Sequence, residues 1–310
     1  MRNSKVVLIS GYFNPGWRVR LALWLVSSVL LSLFFFREFW VSLPGMISPS
    51  RVLGQNQASP WGVLVLCFIF LWLKRKQVRE QMGDTLGMVF IPVGLTLIAV
   101  ALLMPFSTDY RMFQVLLVVL GGFILFFVGA ARIPSILLAV YGFAISFPLL
   151  IERFAEGPYS QTVITPLGEL LTTLGYTFKS DGQWLHFVSF SGEPISVVVT
   201  VGCAGPATMG VFLSIFTLMM LDMPLLPKRA VGLFLFGVIG TWLQSFIRLV
   251  ILMLAGYHLG EQALWTAHFW TIYLLFPLWY LFFAYIYFRE FGRQKRVAEL
   301  AVTAGDGREG

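Results

Sequence analysis

The chain has 310 residues, of which 58% are hydrophobic and 12% are charged, whereas a soluble domain carries about 25% charged residues. This composition excludes a soluble globular protein and indicates that lipid is part of the solvent. The net charge of +7 comes from short clusters between apolar runs, which is typical of membrane topology and not of nucleic-acid binding. The cysteines and histidines form no close cluster, so the sequence predicts no metal and no cofactor.

Apolar runs that approach the roughly 20 residues of a membrane span recur along the chain. They lie at residues 19–36, 57–73, 86–106, 112–131, 133–151, 203–221, 230–256 and 263–288. The sequence therefore predicts an all-α integral membrane protein, a polytopic bundle of about eight transmembrane helices. It forms a single membrane domain over residues 1–310, and its last residues, 297–310, are predicted to be a disordered cytoplasmic tail.

The basic residues are distributed unequally between the two sides of this bundle. With a cytoplasmic N-terminus, sixteen fall in cytoplasmic segments: Arg2, Lys5, Arg18, Arg20, Lys74, Arg75, Lys76, Arg79, Arg132, Lys228, Arg229, Arg289, Arg293, Lys295, Arg296 and Arg308. Five fall on the other side: Arg37, Arg51, Arg111, Arg153 and Lys179. Because cytoplasmic loops are enriched in Lys and Arg, this pattern predicts a multi-pass protein of the cell membrane with both termini in the cytoplasm.

One long segment, residues 152–202, is predicted to be an extracytoplasmic cap. It opens on ERFAEGPYSQ, which is typical of a loop. Apolar residues then recur at helical spacing: Val163, Ile164, Leu167, Leu170, Leu171 and Leu174. This predicts a short amphipathic helix on the outer membrane surface, ended by Gly175. The β-branched and aromatic runs that follow, QWLHFVSF and ISVVVTV, predict a β-hairpin.

Cys203 is the first candidate for chemistry. It lies between Gly202 and Gly205, after a predicted strand and at the start of the sixth apolar run. The positive end of a helix dipole favours the thiolate, and glycines permit close approach by a substrate. The alternative is a small buried hydrophobic residue, which is the interpretation favoured for Cys67.

Arg248 is the second candidate because it lies inside the seventh apolar run. An arginine in a span costs about 2.5–3.5 kcal/mol, so it should face a partner or a wet cavity. Gln244 and Ser245 lie one turn earlier on the same face, where they can orient the guanidinium. The alternative is a structural arginine that binds backbone carbonyls.

His268 is the third candidate and lies near the outer start of the last run. It can transfer protons near neutral pH, whereas His258 and His186 lie in the loop before that run and in the hairpin. A histidine among aromatic residues can also be only an interfacial side chain. However, Cys203, Arg248 and His268 come from three different runs, and the charge distribution predicts all of them at the outer side.

These three residue types suit acyl transfer. A cysteine nucleophile needs a lowered pKa and a proton acceptor or donor. An arginine cannot act as a base, but it can stabilise a thiolate or the oxyanion of a tetrahedral intermediate. The sequence therefore predicts thioester formation with a peptide, followed by release to water or to an amine.

The segments TVGCAGPATMGVFLSIF, QSFIRLVILMLAGYHLG and TAHFWTIYLLF resemble the catalytic core of the exosortase/archaeosortase family. The resemblance implies an extracytoplasmic triad of Cys, Arg and Arg or His. By position, Cys203 is the nucleophile, Arg248 the second member and His268 the third. It further implies a cysteine protease or transpeptidase that cleaves secreted proteins at a C-terminal sorting signal, made of a motif, an apolar span and a basic end. The new C-terminus passes to an acceptor, for which a lipid or glycan amine is a candidate.

Two other classes of function remain open at this stage. A transporter or channel would use Arg248 in an anion site, although no paired repeats are visible. A non-catalytic scaffold for envelope export would need none of the three residues as reactants. A redox enzyme is disfavoured because no second cysteine lies near Cys203, and a rhomboid-like serine protease because no GxSx motif lies on a span.

Overall fold

The computed structural model describes residues 16–46, 58–82, 90–103, 111–200 and 205–306. Its helices are α1 (Gly16–Phe35), α2 (Arg37–Met46), α3 (Ala58–Leu73), α4 (Arg75–Gln81), α5 (Ile91–Leu103), α6 (Arg111–Phe127), a short 3-10 helix (Val128–Ala130), α7 (Arg132–Thr173), α8 (Pro206–Asp222), α9 (Pro227–Leu259) and α10 (Glu261–Asp306). Three strands lie between α7 and α8, namely β1 (Phe178–Asp181), β2 (Trp184–Val188) and β3 (Pro194–Val198).

Each predicted apolar run coincides with a helix wherever the chain is described. Within the described part of the chain, five helical stretches are long and apolar enough to cross a membrane: Arg18–Phe35, Arg111–Ala130, Arg132–Thr173, Pro227–Leu259 and Glu261–Val297. Three further apolar helices are shorter: Trp61–Leu73, Ile91–Leu103 and Pro206–Asp222. The prediction of a mainly helical, multi-pass membrane protein is therefore confirmed.

The last helix extends beyond the membrane-length stretch. α10 continues to Asp306 and so covers most of residues 297–310, for which the sequence predicts disorder. Residues 307–310 lie outside the described part of the chain.

The chain divides into two compact units, and the first comprises residues 1–48 and 67–139. Its helices approach closely where glycines face each other, since a Cβ added to Gly94 would lie 2.8 Å from the carbonyl oxygen of Gly121. Nearby, the Trp24 indole donates to the carbonyl oxygen of Val119 at 3.0 Å. Small residues thus let α5 and α6 pack closely, as is common between helices in membranes.

The second unit comprises residues 49–66 and 140–310, and its helices α8, α9 and α10 also pack through glycines. A Cβ on Gly237 would strike the ring of Phe212, and one on Gly240 would strike the ring of Trp279. The aromatic rings therefore occupy the space that these two glycines leave on α9. The basic start of α9 lies near the last part of α10, where Arg229 pairs with Glu290 at 3.9 Å.

The other end of α9 packs against the three-stranded sheet. The strands form an antiparallel meander in the order β1-β2-β3, with Asp181 opposite Trp184 across a two-residue turn. The amide of Phe190, in the turn after β2, donates to the carbonyl oxygen of Tyr257 on α9 at 2.7 Å. The sheet and the basic start of α9 therefore lie at opposite ends of this helix.

The segment predicted as loop plus surface helix differs from expectation in two ways. Residues 152–161 are helical, with one break inside α7 at Ala155, where φ is −143°. The second half of α7 carries the predicted apolar stripe and ends before Gly175, whose φ of +88° suits a glycine. However, four of the six residues of the stripe pack against protein, whereas Leu170 and Leu174 are exposed. Val163, Ile164, Leu167 and Leu171 are buried in one core with the sheet, α9 and the start of α10.

This packing predicts different costs for two leucines of the same stripe. Leu167 is fully buried in the helix–sheet core, whereas Leu170 is 36% exposed. Leu167→Ala should destabilise the protein by about 2–5 kcal/mol, because it leaves a cavity in a packed core. Leu170→Ala, the matched control, should cost clearly less. The measurement is thermal unfolding of each purified variant in detergent, and equal losses would instead favour the surface helix predicted from the sequence.

Candidate functional site

Arg248 and His268 meet in the interior of the second unit. α9 positions Arg248 eleven residues before its end, which is about 16 Å along the helix axis. α10 positions His268 in its second turn. Both side chains are buried, at 3% and 6% exposure. The Arg248 Nη2 atom lies 3.1 Å from Nδ1 and 3.2 Å from Nε2 of His268, so the sequence-predicted pair is in direct contact.

The contact between Arg248 and His268 places a requirement on the protonation of the imidazole. An arginine nitrogen can only donate, so a hydrogen bond to His268 requires a ring nitrogen without a proton. The guanidinium carbon of Arg248 also lies 6.0 Å from the centre of the Phe276 ring, near the limit for a cation–π contact. A cation is therefore held in an apolar setting by an imidazole and an aromatic ring.

Gly205 brings the start of α8 against this part of α9. Its φ of +102° lies in the left-handed region, and a Cβ added there would strike the Oγ of Ser245. Only glycine therefore fits between α8 and α9 at this point. Since Ser245 lies one turn before Arg248, the start of α8 contacts α9 one helical turn from the Arg248–His268 pair.

Hydroxyl groups tie this junction together. Thr208 donates to the Gly205 carbonyl oxygen at 2.7 Å and lies 3.4 Å from the Ser245 hydroxyl. Tyr280 on α10 donates to the Thr208 carbonyl oxygen at 2.9 Å, and Ser245 donates to the Thr241 carbonyl oxygen at 3.1 Å. The start of α8 is thus bonded directly to α10 and contacts α9.

Sequence reasoning missed Thr208 and Tyr280. Both are hydroxyl residues inside apolar runs, and Thr208 follows Cys203 by five positions. That polar character inside a span is the signal by which they could have been found. The helices that these two hydroxyl residues join could not be predicted from sequence patterns, because their hydrogen-bond partners depend on how the helices pack.

The remaining predicted site residues fall into three groups. Cys203 and Gly202 lie outside the described residues. Gln244 is buried on α9, but neither amide atom has a hydrogen-bond partner among the described residues. Gln244 was expected to orient the guanidinium of Arg248, but its amide makes no hydrogen bond to Arg248 among the described residues. Ser245 contacts Gly205 and Thr208.

The other histidines and Cys67 lie in separate environments. His258 bonds the Tyr176 hydroxyl at 3.0 Å, and His186 bonds the Ser196 hydroxyl at 2.8 Å. The Cys67 thiol is buried in the first unit and donates to the Leu137 carbonyl oxygen at 3.6 Å. The described residues contain no group of three potential metal ligands.

A known protein family matches most of the chain. The family model described as transmembrane exosortase matches residues 53–285, which is 233 of the 310 residues. No curated protein and no solved structure matches the chain. The family match covers every residue of the site just described, from Gly205 to Tyr280, and the chain belongs to the transmembrane exosortase family.

Proposed function

We propose that the protein is a membrane cysteine protease and transpeptidase. It cleaves the C-terminal sorting signal of secreted proteins and transfers the new C-terminus to an acceptor. The observation that carries this proposal is the buried contact of 3.1 Å between Arg248 and His268, beside the helix start at Gly205. Cys203 precedes Gly205 by two residues, and two peptide units span at most about 7 Å. This short separation along the chain supports Cys203 as the nucleophile that the pair serves.

The roles follow from the chemistry of each group. His268 takes the thiol proton, the Sγ of Cys203 attacks the scissile carbonyl carbon, and the carbonyl oxygen becomes an oxyanion. The Arg248 guanidinium moves from the imidazole to this negative charge. When the C–N bond breaks, the leaving nitrogen takes the proton from His268, and the acyl group remains as a thioester. Water or an acceptor amine then displaces the thiolate and restores the thiol.

A topology with about eight spans, both termini in the cytoplasm and the site outside fits this function. The sheet lies at the end of α9 opposite to Lys228 and Arg229. The loop before α9 also bonds the basic part of α10, since Leu226 donates its amide to Gln294 at 2.9 Å. Positive residues favour the cytoplasmic side, so the sheet end of the second unit faces outward.

This topology predicts opposite results for two reporter positions. A reporter fused after Arg296 should be active only in the cytoplasm, because the basic end of α10 stays inside. A reporter inserted near Asp181, in the turn between β1 and β2, should be active only outside. Alkaline phosphatase fusions detect an extracytoplasmic position, and green fluorescent protein fusions detect a cytoplasmic one. Inversion of both results would contradict the proposed orientation of the protein in the membrane.

Replacing the nucleophile should abolish processing without removing the protein. Cys203→Ala and Cys203→Ser should fail to cleave a tagged secreted protein that carries the tripartite C-terminal signal. The matched control is Cys67→Ala, which should process normally because Cys67 packs in the first unit. Gel mobility of the substrate measures cleavage, and immunoblotting measures accumulation of each variant. Normal processing by Cys203→Ala would favour a transporter or a scaffold.

Arg248 and His268 should act as a coupled pair. Arg248→Lys keeps the charge but loses the planar fork, and we expect a loss of about 10²–10³ in rate, as for an oxyanion donor. His268→Ala should also slow cleavage. The double variant should cost little more than the worse single one, because both residues act on one thiol. His258→Ala is the matched histidine control and should retain activity; additive losses for the pair would contradict a shared site.

A further inference from the structure

Gln244 presents a buried amide with no visible structural use. Its side chain is 7% exposed, and neither Nε2 nor Oε1 has a hydrogen-bond partner among residues 16–46, 58–82, 90–103, 111–200 and 205–306. Leaving a buried polar group unsatisfied costs about 1–3 kcal/mol. The buried glutamine of the first unit, Gln114, differs in that its Nε2 donates to the Ala101 carbonyl oxygen at 3.1 Å.

The position of Gln244 relates this amide to the proposed chemistry. Gln244 lies four residues before Arg248, so the two share one face of α9. It is adjacent in sequence to Ser245, which contacts Gly205 at the start of α8. An amide supplies one donor group and one acceptor, and its N–H can donate to the carbonyl oxygen of a peptide group.

We propose that Gln244 is a catalytic residue whose Nε2 donates a hydrogen bond to the carbonyl oxygen of the scissile peptide bond. This inference rests on the proposed function. When the S–C bond forms, an electron pair moves onto that oxygen, and the Gln244 donor binds the resulting oxyanion together with Arg248. Gln244 itself neither gains nor loses a proton, because the proton passes between thiol, His268 and leaving nitrogen.

A neutral donor complements the arginine. Arg248 contacts His268 in the described structure, so it reaches the oxyanion only when charge develops there. Gln244 carries no charge and can hold the carbonyl oxygen both before and after attack. The substrate class recognised at this position is therefore a peptide carbonyl, placed before the thiol by the amide.

Two small reagents separate this role from a packing role. p-Nitrophenyl acetate acylates a thiol through an oxyanion, whereas iodoacetamide alkylates it without one. In the full-length protein with Cys67→Ala, so that Cys203 is the single cysteine, Gln244→Met should lower the acylation rate by about 10²–10³. The alkylation rate should stay unchanged. Gln114→Met, the same replacement in the first unit, should change neither rate.

Three results would overturn the inference. An unchanged acylation rate in Gln244→Met would show that the amide does not act on the oxyanion. Equal losses of the acylation rate and the alkylation rate would show that Gln244 maintains the structure around the Cys203 thiol and does not bind the oxyanion. If Cys203 in the parent protein reacts with p-nitrophenyl acetate no faster than a cysteine in a free peptide, the proposed nucleophile fails, and this inference fails with it.

Discussion

The second unit is organised by the cost of placing a guanidinium inside a membrane bundle. Arg248 lies about 16 Å from the end of α9, too deep for its side chain to reach water easily along the helix. A charge in that position needs an internal partner, and α10 supplies the imidazole of His268 at 3.1 Å. This requirement fixes the rotation of α10 against α9, since only one face of each helix presents these side chains.

Close packing of small residues makes that contact reachable. Gly205, Gly237 and Gly240 leave room for a serine hydroxyl and for two aromatic rings, so these side chains fit directly against backbone where α8, α9 and α10 meet. Van der Waals packing of this kind replaces the hydrophobic effect between helices in lipid. The hydroxyl bonds of Thr208 and Tyr280 then set where α8 begins. The proposed nucleophile, Cys203, lies three residues before Pro206, the first residue of α8.

The sheet completes one end of the same unit. Its inner face and the second half of α7 bury one another, and the core that they form includes Leu249, Leu252 and Met253 of α9. These three residues follow Arg248 directly on α9. The polar pair is therefore bounded on one side by a dry helix–sheet core, which limits the entry of water from that direction and strengthens local electrostatic interactions.

The sequence by itself determined the class of the protein, the positions of its apolar helices and the identity of the Arg–His pair. Hydropathy and charge patterning are local properties, and lipid imposes a helix on each long apolar run. The rarity of ionisable residues in such runs singles out Arg248 and His268 without any coordinates. The antiparallel pair of β2 and β3 also follows from turn residues and β-branched runs, which predict a hairpin.

The tertiary structure alone decided what each face touches. The periodicity of the second half of α7 specifies an apolar face, but lipid and protein are equally apolar partners, and the choice of the sheet depends on residues far away in the chain. In the same way, sequence spacing placed Gln244 near Arg248 but could not show which groups meet its amide. Hydrogen-bond partners across helices depend on packing distances, and those are set by glycines and aromatic rings contributed by three separate elements.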